Sequence, residues 1–300
     1  MTTSRREILQ ATLGLCITPL VACTGHHAAL EHCNGKPADF ETIPTCGFTV
    51  LRIGPAEGRT VLLLHELPGL TPEDLALARC LSDKGFNVYA PLLFGKPWQS
   101  SLVRGYRAAC KPSMFDCSNL EARSAILDKL EPLAECLARK GNGPIGVIGM
   151  CLTGILPLAL LPNEVEAAVL CQPTLPFSFW HGAPTGKQIE DLGLGSQDLD
   201  EAMKSPTSFL AVHYAQDKRS PVGRMRALQS KFRDRVAVIS LPGEHHHSSL
   251  AGDFDPTAFV DTVTYLNVRL DVEKGPKRMA LARLEGQECE ITADGTWRKV

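Results

Sequence analysis

The chain has 300 residues, of which 44% are hydrophobic and 21% charged, so it can bury one large core or two small ones. Its formal net charge is −2 at pH 7, with acidic and basic residues interspersed, which argues against the concentrated basic face that nucleic acid requires. The short basic cluster of Lys274, Lys277 and Arg278 reads as a solvated end.

Residues 1–25 differ from the rest. Ser4, Arg5 and Arg6 precede an uncharged apolar stretch, ATLGLCITPLVACTG, and a small-residue exit. That is the layout of an export signal, and the stretch is too short to span a bilayer comfortably. Ser4-Arg5-Arg6 with Ile8-Leu9 resembles a twin-arginine signal, and Leu20-Val21-Ala22-Cys23 resembles a bacterial lipobox. The expectation is an exported chain, periplasmic or held at a membrane through a lipidated Cys23; the alternative is a cytoplasmic chain with an apolar N-terminal helix.

Eleven cysteines are present. Cys80 has Leu77 and Leu81 at helical spacing and Cys171 ends the run AAVLC, so both read as small core hydrophobes. Cys33, Cys46, Cys110 and Cys117 lie in polar, loop-like text and are disulfide candidates in an oxidising compartment, although sequence does not give their pairing. No CxxC occurs, which argues against a zinc ribbon or a thioredoxin-type site.

After a polar linker, FTVLRIG (48–54) alternates as an edge strand does, and TVLLLHE (60–66) is apolar throughout, as for a strand buried on both faces. A helix is predicted over 71–85, with Thr71 as cap, Pro72 at the first position and Gly85 as stop. FNVYAPLL (86–93) is a strand. Residues 119–141 form a helix with Ile126, Leu130, Leu133 and Leu137 on one face and Pro132 as a point of division. IGVIG (145–149) is a strand followed by a helix from Leu152. Further strands are EAAVLCQ (166–172), SFLAVHYA (208–215) and VAVISLPG (236–243), with helices over 221–232 and 255–270. Strand and helix alternate from 60 to 270, which implies an α/β fold: one mainly parallel sheet covered on both faces. No internal repeat is present. Residues 173–207 are rich in Pro, Gly and Ser and read as a cap or long loop, with Phe177, Phe179 and Trp180 as pocket or packing residues; 271–300 form a polar C-terminal tail.

In such sheets functional groups gather at the carboxyl ends of strands. Gly149-Met150-Cys151-Leu152-Thr153 stands at one of these corners, where a tight turn can push a nucleophile out at the top of the sheet. A helix starting just after Cys151 would lower its thiol pKa through amides and dipole, and the amide of Leu152 could donate to an oxyanion. An acid and then a histidine follow in order: Asp217 past one strand, and His245, His246 and His247 past the next. The histidine would take the thiol proton while the carboxylate fixes its tautomer. Three adjacent histidines cannot all face one way, which argues against a closed metal site made from them alone.

These residues resemble the dienelactone hydrolase family of α/β-hydrolases, which uses Cys, Asp and His. The elbow is similar to Gly149-Met150-Cys151-Leu152-Thr153-Gly154, the oxyanion segment resembles LLLHELPGL with Glu66 after His65, and the histidine motif fits His247-Ser248-Ser249-Leu250, with His246 as runner-up. The likeness covers roughly residues 46–270, as one α/β-hydrolase domain. It implies hydrolysis of small carboxylic esters or lactones through an acyl-cysteine. Cys151 is then the nucleophile, His247 the base and later the acid, and Asp217 its orienter. The amides of Leu67 and Leu152 form the oxyanion hole, and Glu66 contacts the resting thiol and helps to ionise it. No cofactor and no metal are implied, and the partner is a small-molecule ester or lactone. Thr153, where the family more usually has glycine, the 173–207 segment and the N-terminal signal depart from the pattern. They motivate a second reading: an exported lipoprotein that keeps the fold as a non-catalytic binding module.

Overall fold

The computed structural model of the protein describes residues 39–95, 123–141, 143–174 and 189–270, isolated positions between 105 and 115, and three short strands within 277–299. The segment expected to be an export signal, with Cys23, and Cys33, Cys110, Cys117, Phe177, Phe179 and Trp180, lie outside the described residues.

Eight strands form the central sheet: β1 (Glu41–Thr45), β2 (Phe48–Ile53), β3 (Thr60–Leu64), β4 (Asn87–Pro91), β5 (Ile145–Met150), β6 (Val165–Cys171), β7 (Phe209–Tyr214) and β8 (Val236–Leu241). Their order is β1-β2-β4-β3-β5-β6-β7-β8. β1/β2 and β2/β4 pair antiparallel, and every other pair is parallel. This is the mainly parallel, doubly covered α/β-hydrolase sheet that the alternation implies. FTVLRIG is an inner strand rather than the edge, because β1 pairs outside it. β1 itself, ETIPT, hides in what reads as linker: it is short and carries Pro44, which only an edge strand tolerates.

The helices are α1 (Pro72–Asp83), α2 (Leu127–Lys140), α3 (Leu156–Ala159), α4 (Ser196–Lys204), α5 (Val222–Phe232) and α6 (Pro256–Arg269). α1 starts as its sequence predicts: the Thr71 side chain accepts from the Asp74 amide while Asp74 accepts from the Thr71 amide. α2 begins at Leu127 and runs through Pro132 without division. α4 lies inside the segment read as loop. The tail holds a second, three-stranded antiparallel sheet, β9 (Lys277–Met279), β10 (Cys289–Ile291) and β11 (Trp297–Lys299).

Two apolar layers sandwich the sheet. Val61 and Leu63 of β3 pack with α1 and α6, while Leu62 and Leu64 pack with α2, α3 and α5. The alternation explains the unbroken apolar text of β3: both of its faces are inside, and each buried leucine contributes about 1.5–3 kcal/mol. With the hydrophobic positions spent on packing, polar side chains concentrate where strands end. Among the described residues no helix is long and apolar enough to cross a membrane.

Candidate active site

The corner after β5 is strained. Cys151 has φ +52°, a left-handed conformation that a non-glycine residue adopts at a cost. Two glycines make the corner possible by close approach. A Cβ at Gly149 would lie 2.3 Å from the Thr153 carbonyl oxygen, and one at Gly154 would lie 2.7 Å from Pro173 Cα. Gly154 therefore supplies the second glycine of the elbow one place later than usual, and Thr153 is free to be something else. Its Oγ1 accepts from the Met150 amide at 3.0 Å and lies 3.0 Å from the Leu64 carbonyl, so it ties the elbow to the neighbouring β3.

The expected helix after Cys151 is only a three-residue 3-10 turn, Cys151–Thr153, and then the four-residue α3. Pro157 removes a backbone donor at the start of α3, and the chain turns straight into β6. So short a helix offers little dipole. Cys151 is 3% exposed, and its thiol is pushed well above its usual value of 9.0, first by burial and then by the Glu66 carboxyl beside it. The lowered thiol pKa expected from the sequence is thus overturned: desolvation outweighs the weak helix terminus. The Thr174 hydroxyl lies 3.8 Å from the sulfur.

Glu66 follows β3. It is buried, its Oε1 accepts from the Ser248 amide at 3.4 Å, and its carboxyl also interacts with the Cys151 thiol. Burial raises its pKa from 4.5 to about 8, with Asp253 and Glu73 adding to the rise. At neutral pH it is mostly protonated, so the resting pair is a carboxylic acid beside a thiol. His65 is a post rather than a base. Its Nε2 accepts from the Leu93 amide at 3.1 Å, which leaves Nδ1–H to donate to the Glu66 carbonyl at 3.0 Å, and burial lowers its pKa to about 4. No acceptor among the described residues takes up the backbone amides of Leu67 or Leu152.

Asp217, just past β7, is buried and accepts from the Arg219 amide at 2.8 Å. The histidine that meets it is His246, with Nδ1 at 3.2 Å from Asp217 Oδ1. That contact leaves Nε2 as the acceptor of the neutral ring. His247, the residue first expected from the motif, does not touch Asp217. Its Cβ lies against Gly252, and burial lowers its pKa. Successive side chains of an extended loop diverge, so only one of the pair can face the acid. Asp253 sets which one: its Oδ2 accepts from the amides of His246 at 3.1 Å and His247 at 2.8 Å. His245 stacks on Tyr214 with centroids 4.6 Å apart.

Three supporting residues escape the motif. Gln172 ends β6 in a left-handed conformation, φ +47°, fully buried. Its Oε1 accepts from the Ser249 amide at 2.6 Å, its Nε2 reaches Asp217 Oδ2 at 3.5 Å, and its carbonyl accepts from the Thr174 hydroxyl at 3.1 Å. It thus joins the histidine loop, the acid and the neighbour of the thiol. Arg224, completely buried on α5, donates to the carbonyls of Pro173 at 2.8 Å and Arg219 at 2.9 Å. Asp253 is the third. The signal that could have found Gln172 is its place: the first polar residue after the apolar run Ala167–Cys171, at the sheet's carboxyl edge.

An open cleft of about 490 Å³ lies at the opposite end of the sheet, beside Glu164, Glu166, Glu201 and Lys204, and is lined by neither cysteine nor histidine. Among the described residues no group of three or more His, Cys, Asp or Glu side chains is arranged to hold a metal ion.

The sheet order, the strained residue after β5 and the polar groups after β3, β7 and β8 define an α/β-hydrolase. Solved structures agree on that fold. The chain resembles the Pyrococcus furiosus esterase Pf2001 (TM-score 0.55, 13% identity, 79% of this chain and 96% of that one). It also resembles a Klebsiella pneumoniae protein assigned to the dienelactone hydrolases (0.51, 18%, 78% and 98%). A third is a monoacylglycerol lipase from Paleococcus ferrophilus (0.51, 14%, 73% and 98%). The sequence matches the dienelactone hydrolase family over residues 48–247, and the chain belongs to that family of hydrolases. No sequence among curated proteins matches it.

Proposed function

We propose that the protein hydrolyses small carboxylic esters or lactones through an acyl-cysteine intermediate, with Cys151 as nucleophile, His246 as base and Asp217 as its orienter. The observation that carries this reading is the left-handed Cys151 at the strand end, in reach of Glu66 and in the same rim as the Asp217–His246 contact. His246 Nε2 takes the thiol proton, and sulfur attacks the carbonyl carbon. The oxyanion draws on the amides of Leu67 and Leu152. Collapse breaks the ester C–O bond, and His246 returns its proton to the leaving oxygen. Water, deprotonated by His246, then attacks the thioester; the acid leaves and sulfur recovers the proton. Glu66, neutral at rest, assists ionisation by donating its carboxyl hydrogen bond to the sulfur as His246 takes the thiol proton.

The test is hydrolysis of short-chain p-nitrophenyl esters by the full chain before and after iodoacetamide, with the labelled peptide identified. Turnover lost as Cys151 is labelled supports the reading. Undiminished turnover in Cys151→Ala overturns it. No turnover in either protein, with Cys151 slow to label, favours the non-catalytic binding module, the reading that the buried, high-pKa thiol would serve. Export with lipidation at Cys23 belongs to the same proposal for the N-terminus; an intact Met1 in the native protein by mass spectrometry would exclude it.

A further inference from the structure

A second pair of cysteines meets away from the strand ends that carry Cys151 and Asp217. Cys46 occupies the tip of the β1–β2 hairpin, exposed, with φ +46°. Cys136 is half-buried on α2, and both are free thiols. They are 90 residues apart in sequence (46 to 136), yet their thiols lie close enough to interact with each other. The elements bearing them belong to one apolar layer: Phe48 and Val50 of β2 share a buried cluster with Leu130, Leu133 and Leu137 of α2.

We propose that Cys46 and Cys136 form a thiol–disulfide exchange site, which an incoming small-molecule or protein disulfide oxidises to a Cys46–Cys136 bond tying the β1–β2 hairpin to α2. The sequence marked Cys46 as a disulfide candidate and gave no partner; the packing supplies one.

The chemistry closes on these two groups and the oxidant. The Cys46 thiolate attacks one sulfur of the incoming disulfide, forms a mixed disulfide and expels a thiolate. Cys136 then attacks the Cys46 sulfur, closes the bond between the two side chains and expels the second thiolate. Two electrons pass to the oxidant, and the two protons lost by Cys46 and Cys136 end on the two expelled thiolates. Burial and the bond to Cys136 push the Cys46 thiol up, while Lys140 and Arg139 at the end of α2 pull it down. Cys46 is the exposed partner and so the one that an oxidant reaches first. The chain already carries oxidised sulfur elsewhere, since Cys80 is disulfide-bonded instead of being the simple core residue its spacing suggests.

The inference does not depend on the role of Cys151. It is tested on the full chain as isolated, held in oxidised glutathione, digested without reduction and read by mass spectrometry. The expected product is a Cys46–Cys136 linked peptide, two hydrogens lighter than the two reduced peptides together. In Cys136→Ser, Cys46 should instead retain a single glutathione. The linked protein should melt on the order of 5–10 °C above its Cys136→Ser counterpart, because closing so long a loop restricts the unfolded chain. Single glutathione adducts on Cys46 in the parent protein with no linked peptide would overturn the proposal, and so would two thiols that stay unreacted.

Discussion

Replacing Glu66 with Gln removes a carboxyl whose pKa is raised from 4.5 to about 8 by burial and by Asp253 and Glu73. In the unfolded chain the group ionises near its ordinary value, so the folded state holds its proton more tightly. The stability associated with this proton is fully present below about pH 4.5 and is lost as pH rises through about 8. At about 1.4 kcal/mol per pH unit of displacement, the loss is on the order of 3–5 kcal/mol at its plateau. Glu66→Gln cannot ionise and escapes it. Urea unfolding followed by circular dichroism should give nearly equal stabilities for the two proteins at pH 4.5. The variant should gain progressively through pH 6 and 7, and the advantage should level off above pH 8. Under the proposed mechanism the same variant should lose about 10-fold in kcat for ester hydrolysis, because an amide donates a weaker hydrogen bond to the developing thiolate than a carboxylic acid does. A stability difference that is flat between pH 5 and 9 would refute the protonated Glu66, and with it the account of the resting site.

His246→Ala should cut kcat/KM by about 10²–10⁴-fold, while His247→Ala stays within about tenfold; the reverse ranking would move the base to His247. Thr153→Val keeps the shape but orphans the buried amide of Met150 and should cost about 2–3 kcal/mol in urea unfolding; an unchanged midpoint would mean that the elbow is held by its glycines alone. Gln172→Leu leaves the Ser249 amide without its acceptor and should destabilise by about 1–3 kcal/mol. It should also lower kcat more than it raises KM, because it loosens the histidine loop and the acid together; a pure KM effect would place Gln172 at the substrate instead.

The inner sheet was legible because strands such as β3 and β5 are buried on both faces and therefore apolar throughout, a pattern that survives without knowledge of partners. β1 was not, since an edge strand with Pro44 and little apolar content looks like linker. α4 was missed for a related reason: it is only nine residues long, and its apolar stripe is just Leu199, Ala202 and Met203, of which only Ala202 is buried. The positions of Cys151 and Asp217 just past β5 and β7 could be read from order, because strand ends are visible in sequence. The histidine could not, since the choice between His246 and His247 depends on Asp253, six or seven residues further on, pulling on both amides. The thiol pKa failed in the same way. A sequence reveals that a turn follows a strand, but not that the following helix lasts only four residues or that the sulfur is 3% exposed.

The protonated thiol at Cys151 also bears on chemical durability. Peroxides and alkylating agents consume the thiolate and largely ignore the thiol. A thiol held with its proton on, behind Glu66 and Thr174, reacts more slowly with such reagents than an exposed cysteine does. The burial that makes the sulfur sluggish thereby bears on how long the thiol lasts in an oxidising or electrophile-rich medium.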